Sequence, residues 1–225
     1  MITLYSILVT IAVYIFTLFL SKKYPLPITN PVFLSSGIVI CLLLASHITY
    51  DEYIPAKRIM TFLLGPATVA LAIPIYKNGS LIKKYFAAAF SGMIMGSVVT
   101  ISIAIILAKM LHFYKILLIS LSIKSVTIPV AAEISKIVGG NVSLTAAVVI
   151  VTGMIGAMFG PRILSVFKID HPFARGVAIG TIAHGIGTAE AIREGEVQGA
   201  VSGGAMGIAA IITSFIIPYI APYIF

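Results

Sequence analysis

The sequence has few charged residues, and this scarcity bounds the class of protein. Only 10% of its 225 residues are charged, against about a quarter in soluble domains, while 60% are hydrophobic and the mean hydropathy is +1.12. These values exclude an ordinary soluble protein and predict an integral membrane protein. At about 20 residues per span, the chain has room for about seven or eight transmembrane segments, and we expect a single membrane domain over residues 1–225.

Cysteine is almost absent, which excludes an intrachain disulfide. The one cysteine, Cys41, lies inside an apolar run, and we expect it to be a packing residue. No basic region precedes the first apolar stretch, whereas Lys22 and Lys23 follow it. This pattern predicts a retained first helix that ends in the cytoplasm rather than a cleaved signal peptide.

Motifs for enzymatic chemistry are also missing. The sequence contains no nucleotide-binding loop, zincin motif or nucleophile elbow, so we expect neither an enzyme nor a cofactor. No metal site is expected, because no second ligand stands at the right spacing from His184. The net charge is +8, but its fifteen Lys and Arg residues are spread through short loops, which favours anionic lipid headgroups of the bilayer over nucleic acid.

Apolar runs divide the chain into eight segments, and period-2 alternation is absent. All eight are therefore predicted to be helices of an all-α polytopic membrane protein, at about 3–20, 31–48, 59–76, 86–108, 116–135, 142–160, 174–192 and 198–224. If every run crosses, basic residues divide almost evenly between the two sides and the positive-inside rule gives no orientation. One explanation is a re-entrant run, for which the segment at 116–135 is the obvious candidate.

A sparse internal repeat appears at an offset of 57 residues. It pairs 116–161 with 173–218 and lays Ala132, Glu133, Lys136 and Pro161 on Ala189, Glu190, Arg193 and Pro218. Chance identity is the alternative. Two full spans per copy would make the copies parallel, whereas one re-entrant run in each would make them inverted, with discontinuous helices.

Lys124 is the sharpest signal, because a lysine at membrane depth costs roughly 2.5–3.5 kcal/mol. Pro129 follows closely and is expected to break the helix. Two interpretations remain: the side chain snorkels to an interface, or it is the counter-ion of a substrate carboxylate. In the second, the hydroxyls of Ser125 and Thr127 and the backbone at the break assist it.

Two further polar stretches contribute candidates. In residues 176–196, the predicted binding residues are Thr181, His184, Gly185, Gly187 and Thr188; His184 either carries a coupled proton or makes an interhelical hydrogen bond. In residues 62–78, Gly65-Pro66 and Pro74 interrupt a helix beside Thr68, which either lines the site or only kinks the helix.

Two carboxylates lie toward the ends of apolar runs. Glu133 and Glu190 are interpreted either as gating or coupling residues or as partners of Lys136 and Arg193, one turn away. The other five acidic residues, Glu194 among them, are expected in loops. Glycines at four-residue spacing predict close helix packing or, in the alternative, the seam of a homo-oligomer along Gly199, Gly203 and Gly207.

Three stretches together resemble the LrgB/CidB family of bacterial membrane proteins. They are LLGPATVALAIPIYKN at 63–78, IKSVTIPVAAEIS at 123–135 and ARGVAIGTIAHGIGTAEA at 174–191. The resemblance implies a multi-pass protein of the bacterial cytoplasmic membrane with one of two functions. It implies either a transporter of small monocarboxylates such as pyruvate, glycolate or glycerate, or an antiholin-like regulator of murein hydrolase activity and lysis that works with a small LrgA/CidA-type membrane partner.

The residues themselves favour the transporter, since a lysis pore has no need of a buried cation beside a broken helix. A lysis regulator that acts through assembly would depend instead on faces such as Gly199, Gly203 and Gly207.

Overall fold

The computed structural model describes residues 2–24, 26–70 and 72–225, without the side chains at 64, 67, 68, 72 and 74. All regular elements in these ranges are helices. Four of them are long and apolar enough to cross a membrane: Ile2–Lys23, Phe86–Met110, Val142–Val166 and Glu196–Ile224. This confirms an all-helical polytopic membrane protein, while the number of spans remains a prediction.

The first compact unit, residues 1–71, holds four helices: α1 (Ile2–Lys23), α2 (Pro31–Ala45), α3 (Tyr50–Phe62) and α4 (Leu64–Ala70). A short 3-10 turn, Pro27–Thr29, precedes α2, and Asn30 caps α2 by accepting from the amides of Val32 and Phe33. Helix α1 packs against α2 and α3. Cys41, expected to pack inside, is exposed on α2.

The second unit, residues 72–225, holds the other eight helices. They are α5 (Ala72–Lys77), α6 (Gly79–Lys84), α7 (Phe86–Met110), α8 (Lys115–Ser122), α9 (Ile128–Ile137), α10 (Val142–Val166), α11 (Pro172–Glu194) and α12 (Glu196–Ile224). The predicted interruptions near Gly65-Pro66 and Pro74 correspond to the division of that stretch into short helices, α4 and α5 among them.

Helices α8 and α9 form a helical hairpin rather than one continuous rod. The helix stops at Ser122 and restarts at Ile128, just before Pro129, as the sequence predicts. The hydroxyls of Ser120 and Ser135 both bond to Thr145 on α10, at 3.0 and 3.1 Å. In a straight helix these serines would lie about 22 Å apart. The chain therefore folds back, and we call residues 115–137 hairpin 1 and residues 123–127 its tip.

Helix α11 also folds back on itself. Arg175 near its start donates from Nε to Glu194 at its end, at 2.9 Å, although a straight helix would separate them by about 28 Å. The reversal lies at His184, whose backbone (φ 41°, ψ −138°) is not helical. We call residues 172–194 hairpin 2 and His184 its tip. The run predicted at 174–192 is thus helical but bent at its middle.

The two hairpins lie at opposite ends of α10, and we call the end of each hairpin that is away from its tip its feet. Hairpin 1 has its feet at the N-terminal end, because α9 ends at Ile137 shortly before α10 begins at Val142, and Ser135 near the end of α9 lies 3.1 Å from Thr145. Hairpin 2 has its feet at the C-terminal end, where the Arg175 guanidinium donates to the carbonyl oxygens of Pro161 and Ile169, both at 3.0 Å. The hairpins therefore point toward each other along α10.

The predicted offset of 57 residues relates these elements. Hairpin 1 begins at Lys115 and ends at Ile137, and hairpin 2 begins and ends 57 residues later, at Pro172 and Glu194. Moved by the same offset, α10 falls on residues 199–223, inside α12. The shared offset supports the internal repeat, with one hairpin and one long helix in each copy.

Glycines allow hairpin 2 to pack closely on α12. A Cβ atom added at Gly180 would overlap the backbone carbonyl of Ser202, whereas one at Gly204 would meet nothing within 4 Å. The packing role predicted for small residues is therefore met at Gly180, where backbone lies against backbone.

We expect Gly180→Ala to lower the free energy of unfolding by about 1–3 kcal/mol, because the new methyl group has to push two backbones apart. Gly204→Ala on α12 is the matched control and should be neutral or stabilising by up to about 1 kcal/mol, since alanine favours the helix. Thermal unfolding of the purified protein in detergent measures both. Equal melting temperatures for the two variants would contradict the close approach.

Candidate functional site

The candidate site is a cleft of about 410 Å³ in the second unit. Its walls are the C-terminal half of α10, the first arm of hairpin 2 and Lys124 from the tip of hairpin 1. The lining residues on α10 recur every three or four positions, so one helix face forms one wall. The lining residues are Lys124, Thr152, Ile155, Gly156, Phe159, Gly160, Ile163, Leu164, Ala178, Ile179, Ile182 and Ala183.

Of the residues that the structure describes, Lys124 alone contributes a charged group to this lining. Its backbone lies in the turn of the hairpin tip, where its N–H donates to the carbonyl oxygen of Leu121 at 3.4 Å. Within the described ranges, its ammonium group has no ion pair or hydrogen bond. An unpaired ammonium in an apolar surrounding is costly, so this group is ready to accept an anion.

Thr152 is the other polar residue that lines the cleft, and the sequence reasoning missed it. It lies on α10 in a run of apolar residues, so its only sequence signal was a hydroxyl within a predicted span. Within the part of the chain that the structure describes, its side chain makes no hydrogen bond. Two unused polar groups, one cationic and one hydroxyl, thus face an otherwise apolar space.

The other candidates at the tip of hairpin 1 flank the cleft but do not line it. Ser125 and Thr127 are half-buried, and Pro129 is exposed. The Oγ of Ser125 is inaccessible and has no hydrogen-bond partner among the described residues. Thr127 stands at the N-cap of α9 without a side-chain cap bond. The first turn of α9 therefore has its amides uncapped by a side chain, next to Lys124 in the chain.

The polar residues of hairpin 2 are satisfied inside the protein. Thr181 donates to the carbonyl of Val177 at 2.7 Å, and Thr188 donates to the carbonyl of His184 at 2.9 Å. The Thr188 hydroxyl also lies 2.9 Å from the hydroxyl of Ser202 on α12. Thr181 is thus satisfied within the first arm, Thr188 joins the bend to α12, and neither residue lines the cleft.

His184 anchors the tip of hairpin 2 to α10. Its Nε2 lies 3.0 Å from the carbonyl oxygen of Val149, and since a carbonyl only accepts, the ring donates this bond. Gly153 makes room for the ring, because a Cβ there would lie 2.6 Å from Cε1 of His184. The structure thus contains the interhelical hydrogen bond that was one of the two interpretations of His184. A role of His184 in proton coupling remains a prediction.

The tips of both hairpins meet α10 near its middle. Val149, which binds the tip of hairpin 2, also packs in one buried cluster with Ile123 and Val126 from the tip of hairpin 1. Helix α10 runs from Val142 to Val166, so this contact lies about one third of the way along it, next to Thr152. Lys124 is thus held where two breaks in helical structure come together.

The predicted gating carboxylates lie away from the cleft. Glu133 accepts from Lys136 at 2.7 Å, and Glu190 accepts from Arg193 at 2.9 Å. These pairs lie in the final turns of hairpins 1 and 2, at positions 57 residues apart. They match the alternative of helix-end ion pairs, and a role in gating or coupling remains a prediction.

An additional ion pair lies at the feet of hairpin 2. Glu194 was expected in a loop, but it ends α11 and accepts two hydrogen bonds from the buried guanidinium of Arg175. Local sequence patterns do not indicate this pair, because its members are 19 residues apart. Among the described residues, no group of three or more His, Cys, Asp and Glu is placed to hold a metal.

The remaining candidates lie elsewhere. Pro66 lies in α4 of the first unit and is exposed, and the side chain of Thr68 is outside the described set. Gly185 and Gly187 follow the tip of hairpin 2. On α12, Gly199 packs against Ile192, Gly203 is half-buried and Gly207 is exposed to open space. An oligomer seam along that helix remains a prediction.

The comparisons with known proteins agree with one another. The model of the LrgB-like family matches residues 10–223. The chain is 37% identical to the uncharacterized protein YwbG of Bacillus subtilis over 83% of each chain, and 34% identical to its uncharacterized protein YxaC over 85% of this chain and 83% of that one. It is 32% identical to the antiholin-like protein LrgB of Bacillus cereus, over 75% of this chain and 74% of that one. No solved structure matches.

The backbone of His184 gives a test of how the tip is held. A non-glycine residue at φ 41° and ψ −138° is strained by about 1–3 kcal/mol. His184→Ala removes the ring and keeps the strain, whereas His184→Gly removes both. We therefore expect the alanine variant to be less stable than the glycine variant by about 1 kcal/mol, measured by thermal unfolding in detergent. The reverse order would contradict the strained turn.

Proposed function

The chain belongs to the LrgB-like family, and on that premise and the geometry of the cleft we propose that it is a membrane carrier of small monocarboxylates. The observation that carries the proposal is the unpaired ammonium of Lys124 in an otherwise apolar cleft between two helical hairpins. The substrate carboxylate binds this ammonium. The first turn of α9, which has no side-chain cap, is close to Lys124 in the chain and offers backbone donors.

A carrier also needs a way to expose one site to either side of the membrane. The arms of the hairpins are about 12–18 Å long, close to half of the roughly 30 Å hydrocarbon core. Both are then re-entrant, entering from opposite sides because their feet stand on opposite ends of α10. With one re-entrant hairpin and one span in each copy, the repeat is inverted, the arrangement in which transporters place substrate at the interface of the copies.

Re-entrant hairpins also give the second unit an orientation. Three basic residues lie on the side of the hairpin 1 feet: Lys109, Lys115 and Lys136. Seven lie on the side of the hairpin 2 feet: Lys77, Lys83, Lys84, Arg162, Lys168, Arg175 and Arg193. The positive-inside rule then places the feet of hairpin 2 in the cytoplasm.

The antiholin-like alternative rests on the name of the Bacillus cereus relative. Partners of the LrgA/CidA type and a homo-oligomer belong to that alternative, in which assembly faces such as the exposed Gly207 matter more than Lys124. The two functions are compatible, because a carboxylate flux can itself alter lysis.

The first test is uptake of labelled pyruvate into proteoliposomes. Lys124→Met keeps the length of the side chain and removes its charge, so we expect uptake to fall at least about ten-fold, the usual value of a charge-assisted hydrogen bond. The melting temperature should stay the same or rise, because an unpaired ammonium leaves an apolar site. Unchanged uptake would remove Lys124 from the mechanism, and a large loss of stability would make its role structural.

The orientation is tested by labelling single cysteines in a Cys41→Ser background. Leu111→Cys lies before hairpin 1 and Val166→Cys at the C-terminal end of α10, and both native residues are exposed. In intact cells, a membrane-impermeant maleimide should label Cys at position 111 and not at 166, since only the first faces outward. Labelling of both from one side would contradict the re-entrant assignment.

A further inference from the structure

Resting on the carrier function, we propose that the preferred substrates are monocarboxylates of about four to six carbons with an apolar tail, rather than two- or three-carbon hydroxy acids. The proposal follows from the whole lining of the cleft and not from Lys124 alone. The lining thus specifies which small carboxylates the carrier prefers.

The charge of the lining limits the substrate to one carboxylate. Among the described residues, Lys124 is the only charged one that borders the cleft. A second carboxylate would be desolvated against an apolar wall with no cation to pair with, which is strongly unfavourable. Dicarboxylates should therefore bind poorly.

Polar groups on the substrate tail have few partners here. Beyond Lys124, the lining offers the single hydroxyl of Thr152, which has no partner of its own within the described ranges. One oxo or hydroxyl oxygen next to the carboxylate finds a donor there. A second hydroxyl, as in a dihydroxy acid, would be buried without one, so such acids lose affinity.

The apolar walls favour a longer tail. Ile155, Phe159 and Ile182 line the cleft and are 42–53% exposed, so a ligand has apolar area left to cover. A volume of about 410 Å³ holds about fourteen water molecules at roughly 30 Å³ each, far more than a three-carbon acid displaces. Each added methylene that is buried should raise affinity about four-fold.

Gly160 offers a way to change the size of the cleft without disturbing the fold. It lines the cleft on α10, and a Cβ added there would meet nothing within 4 Å. A leucine at this position therefore projects into free space and shortens the room for the tail. Gly204 on α12 has the same open surroundings and does not line the cleft, so it provides the matched control.

The experiment measures how strongly added acids inhibit the uptake of labelled pyruvate into proteoliposomes. The competitors are 2-oxo acids of three to six carbons, unsubstituted acids of the same lengths, glycerate, succinate and palmitate. For wild type we expect inhibition to strengthen about four-fold per methylene up to six carbons, with glycerate and succinate weakest. Gly160→Leu should abolish the gain beyond four carbons, so that acids of five and six carbons inhibit no better than the four-carbon acid. Gly204→Leu should keep the wild-type order.

The variant Thr152→Val tests the contribution of the hydroxyl to binding separately from that of the apolar wall. It should weaken inhibition by 2-oxo acids at least about five-fold and leave unsubstituted acids of equal length unchanged, because only the former place an oxygen near the hydroxyl.

The outcomes distinguish this proposal from the carrier function. Uptake that is lost with Lys124→Met but is inhibited best by glycerate, or a chain-length order that Gly160→Leu leaves intact, would overturn the substrate class and keep the carrier. Inhibition that continues to strengthen up to palmitate would identify a lipid-facing groove and also overturn the class. Absence of any carboxylate uptake would overturn the carrier itself.

Discussion

The structure of the second unit depends on one constraint, which is that a chain that interrupts its helices in an apolar surrounding needs partners for its polar groups inside the protein. Both hairpins find such partners on α10, whereas the Ser125 hydroxyl and the Lys124 ammonium at the tip of hairpin 1 have none among the described residues. His184 donates to the carbonyl of Val149, and the two serines of hairpin 1 bond to Thr145. Because α10 serves both hairpins, it fixes their tips near each other and leaves a cleft on its remaining face.

The same constraint explains why polarity is so unevenly distributed around the cleft. Hydroxyls of hairpin 2, such as those of Thr181 and Thr188, already have partners in the protein. Lys124 and Thr152 have none among the described residues, and these two border the cleft. Groups that hold the fold are thus separated from groups that remain available to a ligand.

Hairpin 2 is held at its feet by a charged group and at its tip by a neutral hydrogen bond. Arg175 joins both ends of hairpin 2 to the end of α10 through Glu194 and two carbonyl oxygens. Ion pairs also close the last turns at Glu133 and Glu190. The charged contacts at the feet of hairpin 2 and the neutral one at its tip agree with a membrane, where charge is tolerated near the headgroups and costly at depth, and Lys124 at the tip of hairpin 1 departs from this pattern.

Much of this could be read from local sequence. The composition predicted a membrane protein, and Lys124 and Pro129 predicted the interruption between α8 and α9. The 57-residue offset predicted that the two hairpins are equivalent. Local residues do not determine the direction that a chain takes after a break, so the fold-back of residues 172–194 was not predicted. That direction rests on contacts between distant positions, such as Arg175 with Glu194 and His184 with Val149. For the same reason only the tertiary structure showed that His184 supports the bend, while Thr152 faces the cleft with Lys124.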